Sequence, residues 1–446
     1  MKRYLLLLTA LFTVHISAYA KDYRKEIDSA LTTFSKQGKF NGSALVTQYG
    51  SMILEKGYGY KDLKQKTLND SNTIYQIGSV TKTFTSTMIL MLQEQGKLSV
   101  KDKLSKYYPD FPEGNDITVE NLLAHTSGIF NYTEDSAFMA KEAFRHHSKT
   151  EMMQYFKDHA IQFAPGSKFG YSNSNYSILG YIIEDVTGKT YFSALREMIL
   201  EPLGMKHTGC NFAGLKDKNK ATGYYAIDGS RGMIAPKVDS SVSFAAGCIY
   251  TTVGDLNKWA VAMLHNQLIT KADWQIATTI NQENYGYGWM IGDNYGRVSI
   301  GHNGGVHGFI ANLFMTPDDA SVIVLLSNDM GNDLAAIRRT ISAIINDKEY
   351  QLPAGHKEIM MATKQLQEYA GNYELAPGFV MKVFMDGNNL MGQLPGQNAF
   401  QLYPSAQNEF FLKVAEAELR FLRDKNNKVE RVLLKQNGRA IPGVRK

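Results

Sequence analysis

The distribution of apolar and polar positions changes character several times along this chain, and each change predicts a different element. Residues 42–60, GSALVTQYGSMILEKGYGY, alternate on either side of a Tyr-Gly-Ser turn, which is the pattern of a β-hairpin. Residues 79–98, SVTKTFTSTMILMLQEQGKL, contain good helix formers, no proline and no internal glycine before Gly96, and are apolar nearly all round in the middle. That spacing predicts a helix buried in a core. Residues 102–228 are mostly helical in pattern, broken by loops such as PDFPEGND, FAPGSKFGYSNSN and EPLGMKHTG, and read as a helical insertion. Strand signals resume at YGYGWMIG, RVSIGHNGG, FIANLFMTP and SVIVLLSND, followed by the helical run DLAAIRRTISAII.

Early and late strands that enclose helices imply one sheet assembled from both ends of a segment. The predicted fold class is therefore α/β, an antiparallel sheet flanked by helices with a helical insertion, over residues 21–348. A polar connector follows at 349–363. Residues 364–446 alternate in short segments around the turns DGNN and DKNNK, and predict a small C-terminal all-β domain.

Composition changes the picture at the start of the chain. Of 446 residues 44% are apolar and 20% charged, ordinary for a globular protein. The first twenty differ: Lys2 and Arg3, an apolar run over 5–16, then Ala18-Tyr19-Ala20. This is the pattern of a secretory signal peptide cleaved after Ala20, so a periplasmic or secreted protein is expected. No later stretch reaches the roughly 20 apolar residues of a membrane span, and no transmembrane segment is expected in the mature chain. Loss of Lys2 and Arg3 takes the formal net charge from +5 to +3, with both signs interspersed, and nothing recommends a nucleic-acid partner. Cys210 and Cys248 are an even pair that permits one disulfide, but apolar neighbours such as Ala246 and Ile249 favour two buried free thiols.

Several chemistries are absent by spacing: there is no Gly-x-Ser-x-Gly, His-Glu-x-x-His or Cys-x-x-Cys, and Gly188-Lys189-Thr190 lacks the upstream glycine of a phosphate loop, Ile183 standing there. What remains is Ser79-Val80-Thr81-Lys82 at the start of the buried helix. Three residues apart on a helix, hydroxyl and amine share one face, and a desolvated lysine can supply the base that a serine nucleophile needs. The plain alternative is a capping serine beside a solvated lysine, which the apolar setting of Lys82 weakens. Tyr171-Ser172-Asn173 lies in a polar loop before a fresh helix, where a phenol and an amide can face a cleft or simply cap the helix. Three histidines stand beside glycine or threonine: His125 in AHTSG, His207 in KHTGC and His302 in GHNGGVHGF. A metal reading of His302 and His307 is poor, because five residues apart on a strand they point to opposite faces and no third ligand recurs nearby.

The order IGSVTK, FGYSN and GHNGG resembles the serine β-lactamase and DD-peptidase superfamily, in particular its class C-like branch of β-lactamases, D-stereospecific peptidases and esterases. The resemblance continues through ITVENLLAHTSGI, LEPLGMKHTG, AAGCIYTTVGDLNKW, YGYGW and VLLSN, over about residues 41–328. It implies Ser79 as the acylated nucleophile, Lys82 and Tyr171 as the groups that move protons, and Asn173 and His302 as substrate-binding residues. It further implies an oxyanion held by the backbone N–H groups of Ser79 and Gly305, with Gly304 allowing close approach. Only His302 is entered and left by strand-like sequence, as the family's third motif requires; His125 and His207 fall in loops, and His307 is expected at the rim. No cofactor and no metal are implied.

Two departures blur the substrate. Histidine at 302, where lysine is common in true class C β-lactamases, argues for a peptidase or esterase acting on small amides or esters, D-configured or cell-wall-derived among them. Asn303 stands where a hydroxyl residue often binds the substrate carboxylate. The expected partner is a small-molecule or short-peptide substrate; weak penicillin hydrolysis and a non-catalytic penicillin- or peptide-binding sensor are the alternatives. The tail, with YAGNYEL, resembles the lipocalin-like β domains appended to some of these hydrolases, and nothing in the sequence sets the oligomeric state.

Overall fold

The computed structural model describes residues 22–446 except 230, 354–357, 398, 414, 416, 437 and 438, so the expected signal segment lies outside the described residues. Six strands form the main sheet: β1 Gly42–Gln48, β2 Ser51–Tyr58, β3 Met290–Asp293, β4 Val298–Val306, β5 Phe309–Thr316 and β6 Ser321–Ser327. Their order is β2-β1-β6-β5-β4-β3 and every pairing is antiparallel. The β1–β2 turn places Tyr49 (φ 50°) and Gly50 (φ 74°) both in the left-handed region, which matches the twist of the paired strands.

Strand alternation divides the core in two. Ala44, Val46, Ile323 and Leu325 face helices α1 (Tyr23–Lys36) and, at the C-terminal end, Leu334–Ile345, through Ile27, Leu31, Ile337 and Ile341. Leu45, Val322, Val324 and Leu326 point the other way, into the larger core around α2 (Thr81–Glu94). Both faces being covered, β1 and β6 are buried along their full length.

Helix α2 is buried from Thr81 to Leu90, as its sequence predicts. Its hydroxyls tolerate this because they donate to carbonyls of the preceding turn, Thr83 to Val80 (2.8 Å) and Thr87 to Thr83 (2.9 Å). Phe84 stacks on Trp259 at 4.1 Å, and Trp259 Nε1–H donates to Thr83 Oγ1. Packed across α2 are α3 (Asn173–Thr187), closed by a left-handed Gly188, and α4 (Ser240–Gly247). The insertion is not helical throughout: it ends in a hairpin of Tyr224–Asp228 and Arg231–Ile234, where Asp228-Gly229 is itself a turn signal.

The C-terminal domain is a nine-stranded antiparallel sheet with its own apolar core around Tyr369, Tyr373, Phe410 and Phe421. Its two edge strands, Phe400–Gln401 and Tyr403–Ala406, are neighbours in sequence, so the sheet curls into a nearly closed barrel. Both expected turns join adjacent strands there, with Gly387 at φ 59° and Asn427 at φ 62°. The domain meets the rest of the chain at the 224–234 hairpin: Asp228 accepts from Gln401 N–H (2.8 Å) and from the Tyr403 hydroxyl, and Arg231 pairs with Asp386 (2.7 Å). Among the described residues no helix is long and apolar enough to cross a membrane.

Candidate active site

Ser79 lies half-buried in a 3-10 turn, Gly78–Val80, that precedes α2, whereas the sequence reading starts the buried helix at Ser79. The difference follows from Gly78, whose φ of +49° breaks the helical path. The turn is clamped against β4. A Cβ on Gly78 would stand 2.6 Å from the Gly305 carbonyl oxygen, and one on Gly304 would stand 1.9 Å from that of Ile77. Beyond Gly301 strand β4 has no β3 partner, so its free edge faces this turn. Gly304 therefore serves a contact between backbone and backbone, while Gly305, with nothing near its Cβ position, is open.

Lys82, one turn on, is fully buried. Its Nζ has three polar neighbours: Ser79 Oγ at 3.1 Å, Asn173 Oδ1 at 2.7 Å and the Ala246 carbonyl at 2.9 Å. Burial pushes its pKa well below the usual lysine value. A neutral amine has two N–H bonds and one lone pair. The amide and peptide oxygens can only accept, so they take the two N–H bonds and leave the lone pair for the Ser79 hydroxyl proton. The Ala246 carbonyl is aimed by Phe244, whose φ/ψ of 30°/−138° interrupts α4; the preceding carbonyl, Ala245, accepts from Thr85 (2.7 Å).

Tyr171 enters from the loop before α3 and Asn173 from the first position of that helix. The Asn173 amide is oriented by Asn131 Oδ1 (3.2 Å) and Thr133 Oγ1 (3.0 Å), which turns its oxygen to Lys82. The Lys82 ammonium position lies 4.9 Å from the Tyr171 ring centroid. Burial raises the Tyr171 pKa well above 10, and Ser79 partly offsets this through a side-chain hydrogen bond. The phenol thus keeps its proton at neutral pH.

His302 joins this group from β4, its ring 6.5 Å from that of Tyr171. It is only 3% exposed and both nitrogens are engaged. Nδ1 faces the Asn303 carbonyl and must donate, so Nε2 is the acceptor for the Tyr285 hydroxyl at 2.9 Å. Burial, reinforced by Lys82, lowers its pKa to about 3, and the ring is neutral. The Asn303 side chain is tied to Asn312 Nδ2 (2.7 Å) on β5.

The structure thus gathers Ser79, Lys82, Tyr171, Asn173, His302, Gly304 and Gly305, all seven of the residues picked out in the sequence. It also adds His125. That ring packs 4.3 Å from Tyr171 and 5.0 Å from Tyr285. Its Nδ1 accepts from Ser172 N–H (3.1 Å) and its carbonyl accepts from Gly170 N–H (2.8 Å), so His125 grips the segment that carries Tyr171 from both sides. Burial first, then Lys82 and His302, hold it neutral. The loop of His125 was legible in the sequence; its contact with Tyr171 spans the chain fold and left no local signal. His207 is remote from this cluster, its backbone N–H held by Asp255 at 2.7 Å. His307 lies in the turn after β4, bonded through Nδ1 to the Tyr225 hydroxyl (3.0 Å). Cys210 and Cys248 are buried free thiols. Among the described residues no cluster of His, Cys, Asp or Glu could hold a metal ion.

Residues 27–346 match the Beta-lactamase family, and residues 356–443 match a domain of unknown function, DUF3471. The Bacillus subtilis protein PbpX is 30% identical over 321 residues, 71% of this chain and 78% of that one. Penicillin-binding protein 4* of the same organism is 25% identical over 425 residues, 89% of this chain and 93% of the relative. Among solved structures, the octameric penicillin-binding protein homologue from Pyrococcus abyssi is similar at a TM-score of 0.65 and 25% identity, covering 94% of this chain and 99% of that one. A D-stereospecific amidohydrolase from Streptomyces sp. is similar at 0.62 and 25%, covering 73% and 99%. Since the family match runs unbroken through every element that supplies a residue to the cluster, this chain belongs to the β-lactamase family of serine hydrolases.

Proposed function

We propose that this chain is an exported serine peptidase or esterase that works through an acyl-enzyme on Ser79 and acts on small amides or esters, D-configured or wall-derived ones included. The observation that carries the reading is the coordination of Lys82: a buried amine whose two N–H bonds are spent on Asn173 and Ala246 and whose third neighbour is the Ser79 hydroxyl. In this reading Lys82 takes the serine proton as Oγ attacks the carbonyl. The backbone N–H groups of Ser79 and Gly305 hold the oxyanion. Tyr171, kept as a phenol by burial, donates to the leaving group and is reprotonated from Lys82. Water then enters and attacks the ester carbonyl while Lys82 accepts its proton; as the acyl–Oγ bond breaks, Lys82 returns that proton to Ser79 Oγ and is neutral again. Asn173 and the neutral His302 orient substrate and tyrosine. Export rests on the sequence of residues 1–20, and N-terminal sequencing of the secreted protein should begin at Lys21.

The D-stereospecific amidohydrolase among the similar structures supports D-configured amides as the first substrates to try. A panel of D- and L-aminoacyl amides, esters and nitrocefin tests the reading. Turnover of amide or ester by the wild type and none by Ser79→Ala is expected, together with a fluorophosphonate adduct confined to the wild type. Turnover that survives Ser79→Ala rejects the mechanism; nitrocefin as the preferred substrate rejects the substrate class.

A further inference from the structure

Next to the reactive cluster lies a cavity of about 470 Å³ that the chemistry above does not use, bordered by Gln76, three residues before Ser79, and by His307, two beyond Gly305. Four lysines line it, Lys61, Lys218, Lys220 and Lys237, and no arginine does. Two of the lining polar groups are deeply buried and poorly served. Lys61 is 9% exposed, and its Nζ reaches only Asn219 Oδ1, at 3.5 Å. Gln76 is 4% exposed and its amide has no hydrogen-bond partner among the described residues. Neither polar end is cut off from solvent, so both present donors to the cavity that a ligand can take up.

The lining sets four ammonium groups against two carboxylates. Asp62 and Asp217 also line the cavity, but Asp62 accepts from Gln65 N–H and the Thr222 hydroxyl, and Asp217 from Asn219 N–H. None of the four lysines forms an ion pair among the described residues. Lys220 lies over the Phe212 ring at 4.6 Å and donates to the Ala213 and Leu215 carbonyls, both at 3.2 Å; burial and then the charge of Lys237 lower its pKa. A flat carboxylate is matched best by an arginine fork, whereas ammonium groups converging from several sides suit a tetrahedral oxyanion.

We propose that this cavity binds a phosphate-class oxyanion, free or carried on a larger ligand, with Lys61 and Gln76 at its floor and Lys218, Lys220 and Lys237 around it. The inference rests on the cavity and not on the reading of Ser79 as nucleophile, so a binding measurement tests it whether or not the chain turns over an ester. Inorganic pyrophosphate and inorganic phosphate are titrated calorimetrically into the full-length mature protein at low ionic strength, with citrate as the carboxylate comparison. Expected is saturable pyrophosphate binding at one site, weakened at least tenfold in the double variant Lys218→Gln/Lys237→Gln and again in Gln76→Leu. Lys218 and Lys237 are exposed, so their replacement tests the site without disturbing the core. Absence of saturable binding, or an affinity indifferent to the lysine variants, overturns the site. Citrate binding tighter than pyrophosphate overturns the phosphate assignment.

Discussion

At Lys82 the number of partners decides the protonation state that the site can use. Two obligate acceptors and one hydroxyl fit a neutral amine; a protonated one would spend its third N–H on the serine oxygen and leave no base. Lys82→Met should therefore lower kcat/KM by about 10²- to 10⁴-fold with little change in KM, read from steady-state ester hydrolysis. Because burial lowers the Lys82 pKa, the same rate should fall on the acid side as the amine gains its proton. His302 gives a stability prediction of definite sign. Its pKa is about 3 in the folded chain against about 6.5 ordinarily, so between those values the unfolded chain binds more protons. Stability should be full above about pH 6.5 and decline toward pH 3, and buried His125 acts in the same direction. The urea midpoint should fall across that window, with a shallower slope in His302→Gln.

At the scale of elements, the site exists because a strand edge and a tight turn are pressed together. Gly304→Ala would force β4 off the Ile77 carbonyl, since the new Cβ would lie 1.9 Å from that oxygen. A displacement of about 1 Å costs on the order of 100-fold in rate, so a loss of that size in kcat is expected while the chain still folds. Gly305→Ala, with open space at its Cβ, should leave the melting temperature unchanged. Such close approaches are invisible in sequence: GHNGG announces flexible backbone, but only register and packing say that Gly304 has no room for a Cβ against Ile77 while Gly305, whose backbone meets Gly78, has open space at that position. The strands and α2 were legible because their burial is written in periodicity. The hairpin at 224–234 was overlooked because its half-buried strands lack strict alternation, although Asp228-Gly229 marked the turn.

Across the whole molecule, the 224–234 hairpin touches both ends of the function. Tyr225 holds His307 beside β4, while Asp228 and Arg231 hold the C-terminal domain. The exposed Arg231–Asp386 pair contributes little by itself, and Asp228, which receives two hydrogen bonds, is the stronger tie. Deleting the chain after residue 357 should leave Ser79 reactive toward fluorophosphonate and raise KM through the loosened hairpin; Asp228→Ala should reproduce part of that rise. Unchanged KM in both would confine the tail to a role away from the cleft.

The sequence by itself determined the main strands and α2, the antiparallel α/β architecture with its all-β tail, and, through its motifs and the resemblance they carry, the residues of the site, because hydrophobic period, turn chemistry and the Ser-x-x-Lys spacing are local properties. Tertiary structure alone decided the rest. It brought Asn173 and the Ala246 carbonyl from other helices onto Lys82, and packed His125 beneath Tyr171. It tied Asn303 to Asn312, and set Lys61 and Gln76 on the wall of one cavity. Each of these joins residues distant in sequence or faces set by strand register, and burial, which governs every pKa in the site, is a property of the folded whole.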